Sequence, residues 1–338
     1  MPSKKTASVR EYLTTQGWLA EGYGIQSIGD NRAIPLNDKA PQSIKKYKQI
    51  TLSPLSPPPK HWTERLDLEL FTEYKEYWPM SHDQIGDIII LKLPSEIIDF
   101  GNTIGEAILQ QFPNMRVVCA DKGVTGKFRV RDLQILSSRN KQTTETIVRE
   151  NGNEMIVNPS VAYYSPRLAN ERLLTVESAK KLKNRLGRPL DVCDPYAGVG
   201  PSLVTLLSEK GLTNKIYGSD LNPAAVPILK QNIGNHWAEC RDARDLSKEH
   251  PQCADLLLVN LPHESINHLS KLIGLLKKNQ ETVIRGWAII DNESIDTTKQ
   301  KLEKILDEYI INDITISPSK SYSPKESYAS FEISLTIN

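Results

Sequence analysis

The chain has 338 residues and a mass of 38.0 kDa, and its side chains are 39% hydrophobic and 25% charged. This composition is typical of globular proteins and excludes a disordered, collagen-like or coiled-coil chain. The 42 basic and 41 acidic residues give a net charge of +1. No apolar run approaches the ~18 residues of a membrane span, and the N-terminus has no apolar signal core. We therefore expect a cytosolic protein that contacts no membrane.

The charge is distributed unevenly along the chain. Residues 1–50 carry eight Lys/Arg against four Asp/Glu, residues 51–110 carry four against ten, and residues 111–150 carry eight against four. The basic blocks could bind a polyanion. Alternatively, they are only solvated faces, because the local charge of many neutral proteins varies in a similar way. The four cysteines form no Cys-x-x-Cys pair, and the six histidines show no ligand spacing. We therefore expect neither disulfides nor a metal site.

The N-terminal part of the chain is predicted to form a separate small module. Residues 8–19 have the period of a short amphipathic helix that ends near Gly22–Gly24, and residues 25–34 alternate like a strand. The segment TLSPLSPPPK at 51–60 contains four prolines in ten residues. Such a segment can neither continue a helix nor pair in a central strand, so it is typical of a stiff linker. We predict a module over 1–52 and a Pro-rich linker over 53–63.

Residues 64–160 are predicted to form an α+β middle domain. A short apolar run at 88–91 is strand-sized, and residues 95–112 are helical in period. A strand follows at 115–120, and another at 128–136 alternates with its basic residues directed outward.

Residues 161–338 alternate between helix and strand, which predicts a doubly wound α/β fold with a parallel sheet. Ser165 and Pro166 are typical of an N-cap followed by proline at the first helical position. The segment SPSKSYSPKE between the last two strands is too short for a helical crossover, so the last strand should be antiparallel. The predicted strands lie near 189–193, 215–219, 236–240, 254–259, 281–290, 310–316 and 327–337. The predicted helices lie at 201–210, 222–233, 264–278 and 293–309.

The first strand–turn–helix of this domain carries the motif DPYAGVGP at 194–201. Gly198 and Gly200 allow a sharp turn and a close approach of the backbone to a ligand. Leu203 stands where a dinucleotide-binding enzyme would have its third glycine. Asp194 lies in the turn itself, where it would repel a pyrophosphate. The turn therefore suits a ligand that carries an ammonium group and no phosphate.

Two further carboxylates follow the next two strands. Asp220 lies 22 residues after Gly198, close to the ~20-residue spacing at which an acidic residue binds a ribose diol. Asp242 could accept a hydrogen bond from an adenine amino group. S-adenosylmethionine fits this combination, and the alternative is a purely structural α/β turn. We therefore predict a Rossmann-like class I methyltransferase domain.

A fourth motif, Asn-Leu-Pro at 260–262, ends a buried strand beside this site. The Asn260 amide can donate and accept hydrogen bonds, so it can hold a planar heterocycle, and Pro262 fixes the backbone after it. As a variant of an Asn-Pro-Pro-aromatic signature, the motif indicates methyl transfer to nitrogen. Alternatively, Asn260 caps the next helix. His263 is interpreted as a loop residue.

Taken together, the motifs resemble the tRNA (guanine-37-N1)-methyltransferases of archaea and eukaryotes over roughly residues 80–338. In chain order they are KGVTGKFRVRDL, RENG, YYSPRLANER, DPYAGVGP, DLNP and NLP. The N-terminal module is similar to the small extra domain of the archaeal members. After Asn-Leu-Pro the family usually has Ala where this chain has Ser265.

The resemblance implies a role for individual residues. Glu171 is the candidate general base that removes the N1 proton of guanine, Arg149 supports the charge that develops on the base, and Asn260 positions the base. Tyr163, Tyr164 and Pro166 are implied to line the pocket. The cofactor site is implied to contain Arg172, Asp220, Leu221, Asp242, Ala243 and Asn260, and the turn motif at 194–201 adds Asp194, Tyr196, Gly198 and Gly200 to the predicted site.

The chemistry agrees with these roles. Guanine N1 is a weak acid that must lose its proton as the methyl group arrives, and a positioned carboxylate can accept it. Alternatively, Glu171 and Arg172 are a surface pair in the first turn of a helix. N1 lies on the Watson–Crick edge, so the target should be a splayed loop nucleotide. Lys127, Arg129 and Arg131, with Tyr164 and Pro262, are the predicted substrate contacts, and the middle domain is predicted to bind RNA.

Two other functions stay open at this point. A wyosine-pathway enzyme of the same fold would methylate a wyosine precursor or transfer an aminocarboxypropyl group. A protein that keeps the fold and binds tRNA without catalysis is the other alternative. In each case we expect tRNA as the partner and a monomer.

Overall fold

A computed structural model describes residues 2–44, 47–54, 59–291 and 295–338. The chain divides into two units, Met1–Arg65 and Leu66–Asn338. The predicted linker lies partly outside the described residues, at 55–58, and the predicted helix over 293–309 begins outside them. The finer domain boundaries at 52, 63 and 160 stay predictions.

The described residues of the N-terminal unit include an α-helix and a β-hairpin. Helix α1 (Thr6–Thr15) begins before the predicted residue 8 and ends well before Gly22. Gly17 takes a left-handed φ of 68°, and the Trp18 N–H donates to the Leu13 carbonyl at 3.0 Å, so the helix closes there in a Schellman turn. The single strand predicted over 25–34 is wrong: strands β1 (Gln26–Ile28) and β2 (Asn31–Ala33) pair antiparallel around a two-residue turn.

The middle part of the chain forms a small α+β layer. Its four-stranded sheet has the order β3-β4-β5-β6, and helix α3 packs against β5 and β6. The elements are α2 (Leu68–Glu73), β3 (Asp83–Ile85), β4 (Ile88–Leu91), α3 (Gly101–Gln111), β5 (Val117–Thr125) and β6 (Val130–Ser138). The predicted strand at 128–136 is thus displaced by two residues, because Lys127 and Arg129 belong to the turn before it.

A separate hairpin connects this layer to the C-terminal sheet. Strands β7 (Thr146–Glu150) and β8 (Asn153–Val157) are joined by Asn151 and Gly152, whose φ angles are 51° and 82°. Two left-handed residues, Asn followed by Gly, are the preferred two-residue hairpin turn. Met155 and Val157 pack with residues of the C-terminal sheet's helices, so the hairpin is fixed to that sheet.

The C-terminal part is a seven-stranded sheet with the order β11-β10-β9-β12-β13-β15-β14. Strands β9 to β13 are parallel, and β15 lies antiparallel between β13 and β14. This confirms the predicted α/β fold with an antiparallel last strand. The elements are α4 (Ala169–Leu186), β9 (Leu190–Asp194), α5 (Pro201–Leu207), β10 (Thr213–Asp220), α6 (Val226–Ile233), β11 (Trp237–Cys240), α7 (Ala243–Glu249), β12 (Leu256–Val259), α8 (Ser265–Leu272), β13 (Glu281–Asp291), α9 (Ile295–Ile305), β14 (Ile310–Ser321) and β15 (Glu326–Thr336).

Helices cover both faces of this sheet, since one apolar core contains residues of α4 to α6 and the other contains residues of α7 to α9. Ser165 and Pro166 occupy the predicted N-cap and first helical positions, but of a short 3-10 turn at Pro166–Leu168 that precedes α4, and the Ser165 side chain makes no capping hydrogen bond. Helix α7 was missed by the sequence patterns. No helix among the described residues has the length and apolar character needed to cross a membrane.

Candidate functional site at the carboxyl edge of the sheet

The turn after β9 is built around a buried carboxylate. Asp194 is 1% exposed, and its two oxygens accept from the Tyr196 N–H at 3.1 Å and from Asn260 Nδ2 at 3.4 Å. Gly200 has a φ of 84°, and an added Cβ would lie 2.7 Å from Leu229 Cδ1. The turn therefore excludes a side chain at residue 200, and it links Asp194 to the end of β12.

Asp220 joins the turns that follow β9 and β10. Its oxygens accept from the backbone N–H groups of Gly198 and Asn222, both at 2.8 Å. Burial raises the pKa of Asp220, and burial, followed by the charge of Asp220, raises the pKa of Asp194 to about 7. Two carboxyl groups are thus held close together in an environment that disfavours their ionised forms.

The third carboxylate, Asp242, has a different environment. It caps α7 by accepting from the Arg244 N–H at 3.0 Å, and it also pairs with the Arg244 guanidinium. The hydrogen bond from Arg244 lowers the pKa of Asp242 to about 2. Leu221 is exposed, and Ala243 is buried in the core at the first position of α7. The Tyr196 hydroxyl lies 2.8 Å from His268 Nδ1 on α8.

The loop Asn260–Pro262 is held in place by Ser265. The Ser265 hydroxyl is buried, donates to the Val259 and Leu261 carbonyls at 3.2 and 2.8 Å, and accepts from the Leu261 N–H at 3.3 Å. The Pro262 carbonyl accepts from the Ile289 N–H at 3.0 Å. Ser265 therefore holds the turn that presents Asn260.

The first turn of α4 places Glu171 against the sheet. Its side chain is 18% exposed, and Oε2 lies 3.7 Å from a terminal nitrogen of Arg285 on β13. Arg285 also donates to Glu332 Oε2 at 2.9 Å and to Thr175 Oγ1 at 3.2 Å. Arg285 was not predictable as a site residue, because an arginine inside a strand pattern gives no signal of its partner.

Arg172, the next residue, points into the protein. Its guanidinium donates to both oxygens of Glu150, at 2.6 and 2.5 Å, and to the Ser165 carbonyl at 3.0 Å. The Tyr164 hydroxyl donates to the same Glu150 carboxylate at 2.8 Å. All three side chains are buried. Tyr164 therefore lies in the core, whereas the neighbouring Tyr163 is exposed.

Arg149 lies on the opposite face of β7 from Glu150, because successive side chains of a strand point to opposite faces. Its side chain is 83% exposed and pairs with Glu154 across the hairpin at 2.7 Å. Of the three basic residues predicted to face outward, Arg131 is largely buried and pairs with Asp83 and Asp121 at 3.0 and 3.3 Å. Only Lys127 and Arg129 in that set are exposed, in the turn before β6.

One group in the described part of the chain has metal-ligand spacing: Glu239, Glu249 and His250. The Arg241 guanidinium lies 2.8 Å from each of the two carboxylates, so their charges are already paired. The sequence spacing of these three residues does not predict the cluster.

The carboxyl edge of the sheet thus combines three acidic strand ends, a fixed Asn-Leu-Pro loop and a carboxylate on α4. Such an edge is where ligands bind in open α/β sheets. The carboxylates suit an ammonium group, a ribose and an adenine amino group, and they would repel a phosphate.

Comparisons with known proteins agree with this chemistry. The family described as TRM5/TYW2 methyltransferase domain matches residues 146–314, and the TYW2 N-terminal domain matches residues 63–137. The tRNA (guanine(37)-N(1))-methyltransferase Trm5b of Pyrococcus abyssi is 31% identical over 278 residues, which cover 79% of this chain and 78% of that relative.

Two solved structures are similar over the whole chain. The complex of aTrm5 and tRNALeu has a TM-score of 0.66 at 26% identity and covers 100% of this chain and 98% of that one. Methanocaldococcus jannaschii Trm5 in complex with adenosine has a TM-score of 0.57 at 25% identity, with the same coverage. The predicted resemblance is thereby confirmed, and the chain belongs to the TRM5/TYW2 methyltransferase family.

Proposed function

We propose that this protein methylates N1 of guanosine 37 in the tRNA anticodon loop, with S-adenosylmethionine as the methyl donor. The observation that carries the proposal is the position of Glu171, held beside Arg285 on the same sheet edge as Asp194 and Asn260. Relatives that carry this activity in their names support it.

The acidic strand ends support the choice of cofactor. We assign Asp194 to the ammonium group, Asp220 to the ribose and Asp242 to the adenine amino group, with the Gly198–Gly200 turn against the ligand. When bound, the cofactor supplies a methyl group on a sulfonium, which already makes methyl transfer favourable. The protein's contribution is then to position the acceptor and remove its proton.

We assign proton removal to Glu171 and positioning of the guanine edge to Asn260. Arg285 fixes the direction in which the Glu171 carboxylate points, and Glu332 fixes Arg285. Arg149 is assigned to the charge that develops on the base, and this role requires it to exchange Glu154 for the substrate. The buried Glu150–Arg172 pair holds the first turn of α4, and thus Glu171, in place.

Cofactor affinity should depend on pH through Asp194. Because the pKa of this carboxyl is raised to about 7, it is mostly protonated below that pH and cannot attract an ammonium group. Between about pH 6 and about pH 8, we expect the affinity for S-adenosylhomocysteine to rise about tenfold in total and then level off, because the ionised fraction of such a carboxyl rises from roughly a tenth to roughly nine tenths. Asp194→Asn should weaken binding at about pH 8 roughly 10- to 100-fold, the effect of a charge-assisted hydrogen bond, and abolish the slope.

Isothermal titration calorimetry measures these affinities. Asp245→Asn removes an exposed carboxylate of α7 and should leave both the affinity and its pH dependence unchanged. A pH slope that persists in Asp194→Asn would assign the titrating group to another residue.

The proposed tRNA contacts are the exposed Lys127 and Arg129 together with the module over 1–52, while Arg131 supports their turn through Asp83 and Asp121. Deleting residues 1–52 should weaken tRNA binding about tenfold or more and reduce its salt dependence, because phosphate contacts dominate such affinity. Cofactor affinity should not change. Filter binding at two salt concentrations tests this, and an unchanged tRNA affinity would contradict the assignment.

The product distinguishes the proposal from its rival. Mass spectrometry of nucleosides from an unmodified tRNA transcript, incubated with the protein and S-adenosylmethionine, should show the gain of one methyl group. An aminocarboxypropyl adduct would place the protein with the wyosine-pathway enzymes. Cytoplasmic location and a monomeric state stay predictions.

A further inference from the structure

Three aromatic rings meet at the carboxyl edge of the sheet, next to the proposed guanine site. Tyr322 packs between His263 and Tyr328, with ring centroids 5.7 and 5.1 Å apart and interplanar angles of 79° and 82°. His263 follows Pro262 directly, and the two tyrosines lie at the end of the β14–β15 hairpin. Because β14 runs parallel to β13, that hairpin end lies at the same edge as Asn260.

These rings are held by an ordered turn. The Tyr322 N–H donates to the Glu326 carbonyl at 2.8 Å, and the Glu326 N–H donates to Ser323 Oγ at 3.1 Å. Tyr322 is nevertheless 42% exposed. A large ring that packs against two other rings and is still open to solvent is a preorganised surface for another planar group.

An exposed turn that carries cations approaches the rings through Arg129. Tyr163 and Arg129 both lie within electrostatic range of the Tyr328 hydroxyl. Lys127, Phe128 and Arg129 are exposed in the turn before β6. Aromatic rings beside exposed cations are the combination with which proteins bind single-stranded nucleic acid, since bases stack on the rings and phosphates pair with the cations.

We propose that His263, Tyr322 and Tyr328 form a stacking surface for the base of the nucleotide that adjoins the methylated guanosine. This inference rests on the proposed function, because it assumes a splayed tRNA loop at Asn260. The occupant is a nucleobase, because the exposed Tyr322 ring can stack with a base while the exposed Lys127 and Arg129 match the phosphates beside it. The adjoining base is recognised by stacking on this surface. Purines should therefore bind better than pyrimidines, because they stack over a larger area.

The test uses tRNA transcripts with 2-aminopurine at either position adjoining guanosine 37, because stacking on a protein ring changes the fluorescence of this base. Wild-type protein should change the fluorescence at one of the two positions. Tyr322→Ala should remove this change and raise the KM for tRNA about 5- to 100-fold, the range for loss of one base–aromatic stack, with kcat nearly unchanged. Tyr322→Phe keeps the ring and should behave like the wild type.

Two controls make the result specific. Tyr77 is exposed to the same 42% but lies outside the surface, so Tyr77→Ala should change neither fluorescence nor KM. A transcript that lacks the adjoining base should show the raised KM with wild-type protein and no further rise with Tyr322→Ala. If wild type and Tyr322→Ala change the fluorescence of 2-aminopurine equally, the proposal is overturned.

The fluorescence measurement does not need turnover. If no methylated product forms with any transcript, the proposed function fails, whereas the stacking surface is still tested by binding.

Discussion

Glu171→Gln is expected to lower the rate of methyl transfer about 10²- to 10⁴-fold, the contribution typical of a positioned general base. The amide has nearly the shape of the carboxylate but cannot accept the N1 proton. Cofactor affinity should stay close to that of the wild type, because the proposed cofactor contacts lie on Asp194, Asp220 and Asp242. Single-turnover kinetics with saturating tRNA and S-adenosylmethionine isolates the chemical step.

Glu332→Gln is the matched control for this variant. Both carboxylates contact Arg285, at 3.7 Å from Glu171 and at 2.9 Å from Glu332, but only Glu171 is assigned to the substrate proton. We expect Glu332→Gln to slow methyl transfer less than tenfold. Equal losses in both variants would mean that the charge balance around Arg285, and not proton removal, carries the effect.

Glu150→Ala is expected to lower the free energy of unfolding by about 3–5 kcal/mol, the cost of removing one partner of a buried ion pair. The Glu150 and Arg172 side chains are each 6% exposed, and the substitution leaves the guanidinium buried without its carboxylate. The Tyr164 hydroxyl loses its acceptor as well. Urea titration followed by circular dichroism measures the change.

Glu154→Ala removes the other glutamate of the same hairpin. Its side chain is 57% exposed and its partner Arg149 is 83% exposed, so the loss should stay within about 1 kcal/mol. If the two substitutions destabilise the protein equally, the Glu150 cluster is not the anchor described above.

The grouping of the acidic strand ends was predictable because it follows from topology. A parallel sheet brings the ends of successive strands to one edge, so Asp194, Asp220 and Asp242 could be grouped before any contact was known. The same reasoning placed Asn260. Two local turns also have sequence signals. Asn151-Gly152 is typical of a hairpin turn, which was not among the predictions, and Gly17 ends helix α1, whose end was predicted at Gly22–Gly24.

The partners of charged residues were not predictable. Glu150 and Arg172 are separated by 22 residues, and nothing in the sequence indicates that a hairpin turns Glu150 inward and Arg149 outward. Arg131 is a second example. The alternation of polar and apolar residues along its strand predicts an outward side chain, but Arg131 forms an ion pair with Asp83 on β3. Which charges pair is decided by long-range packing, and that information is absent from local patterns.

The nucleotide and the atom that receive the methyl group decide whether the proposed function is correct. An unmodified tRNA transcript and a matched transcript with adenosine at position 37 are each incubated with the protein and S-adenosylmethionine, digested with a nuclease and analysed by mass spectrometry. The account predicts 1-methylguanosine in the fragment that contains position 37 of the first transcript, and no product from the second. A methyl group on any other nucleotide or atom, or equal methylation of the adenosine transcript, would contradict it.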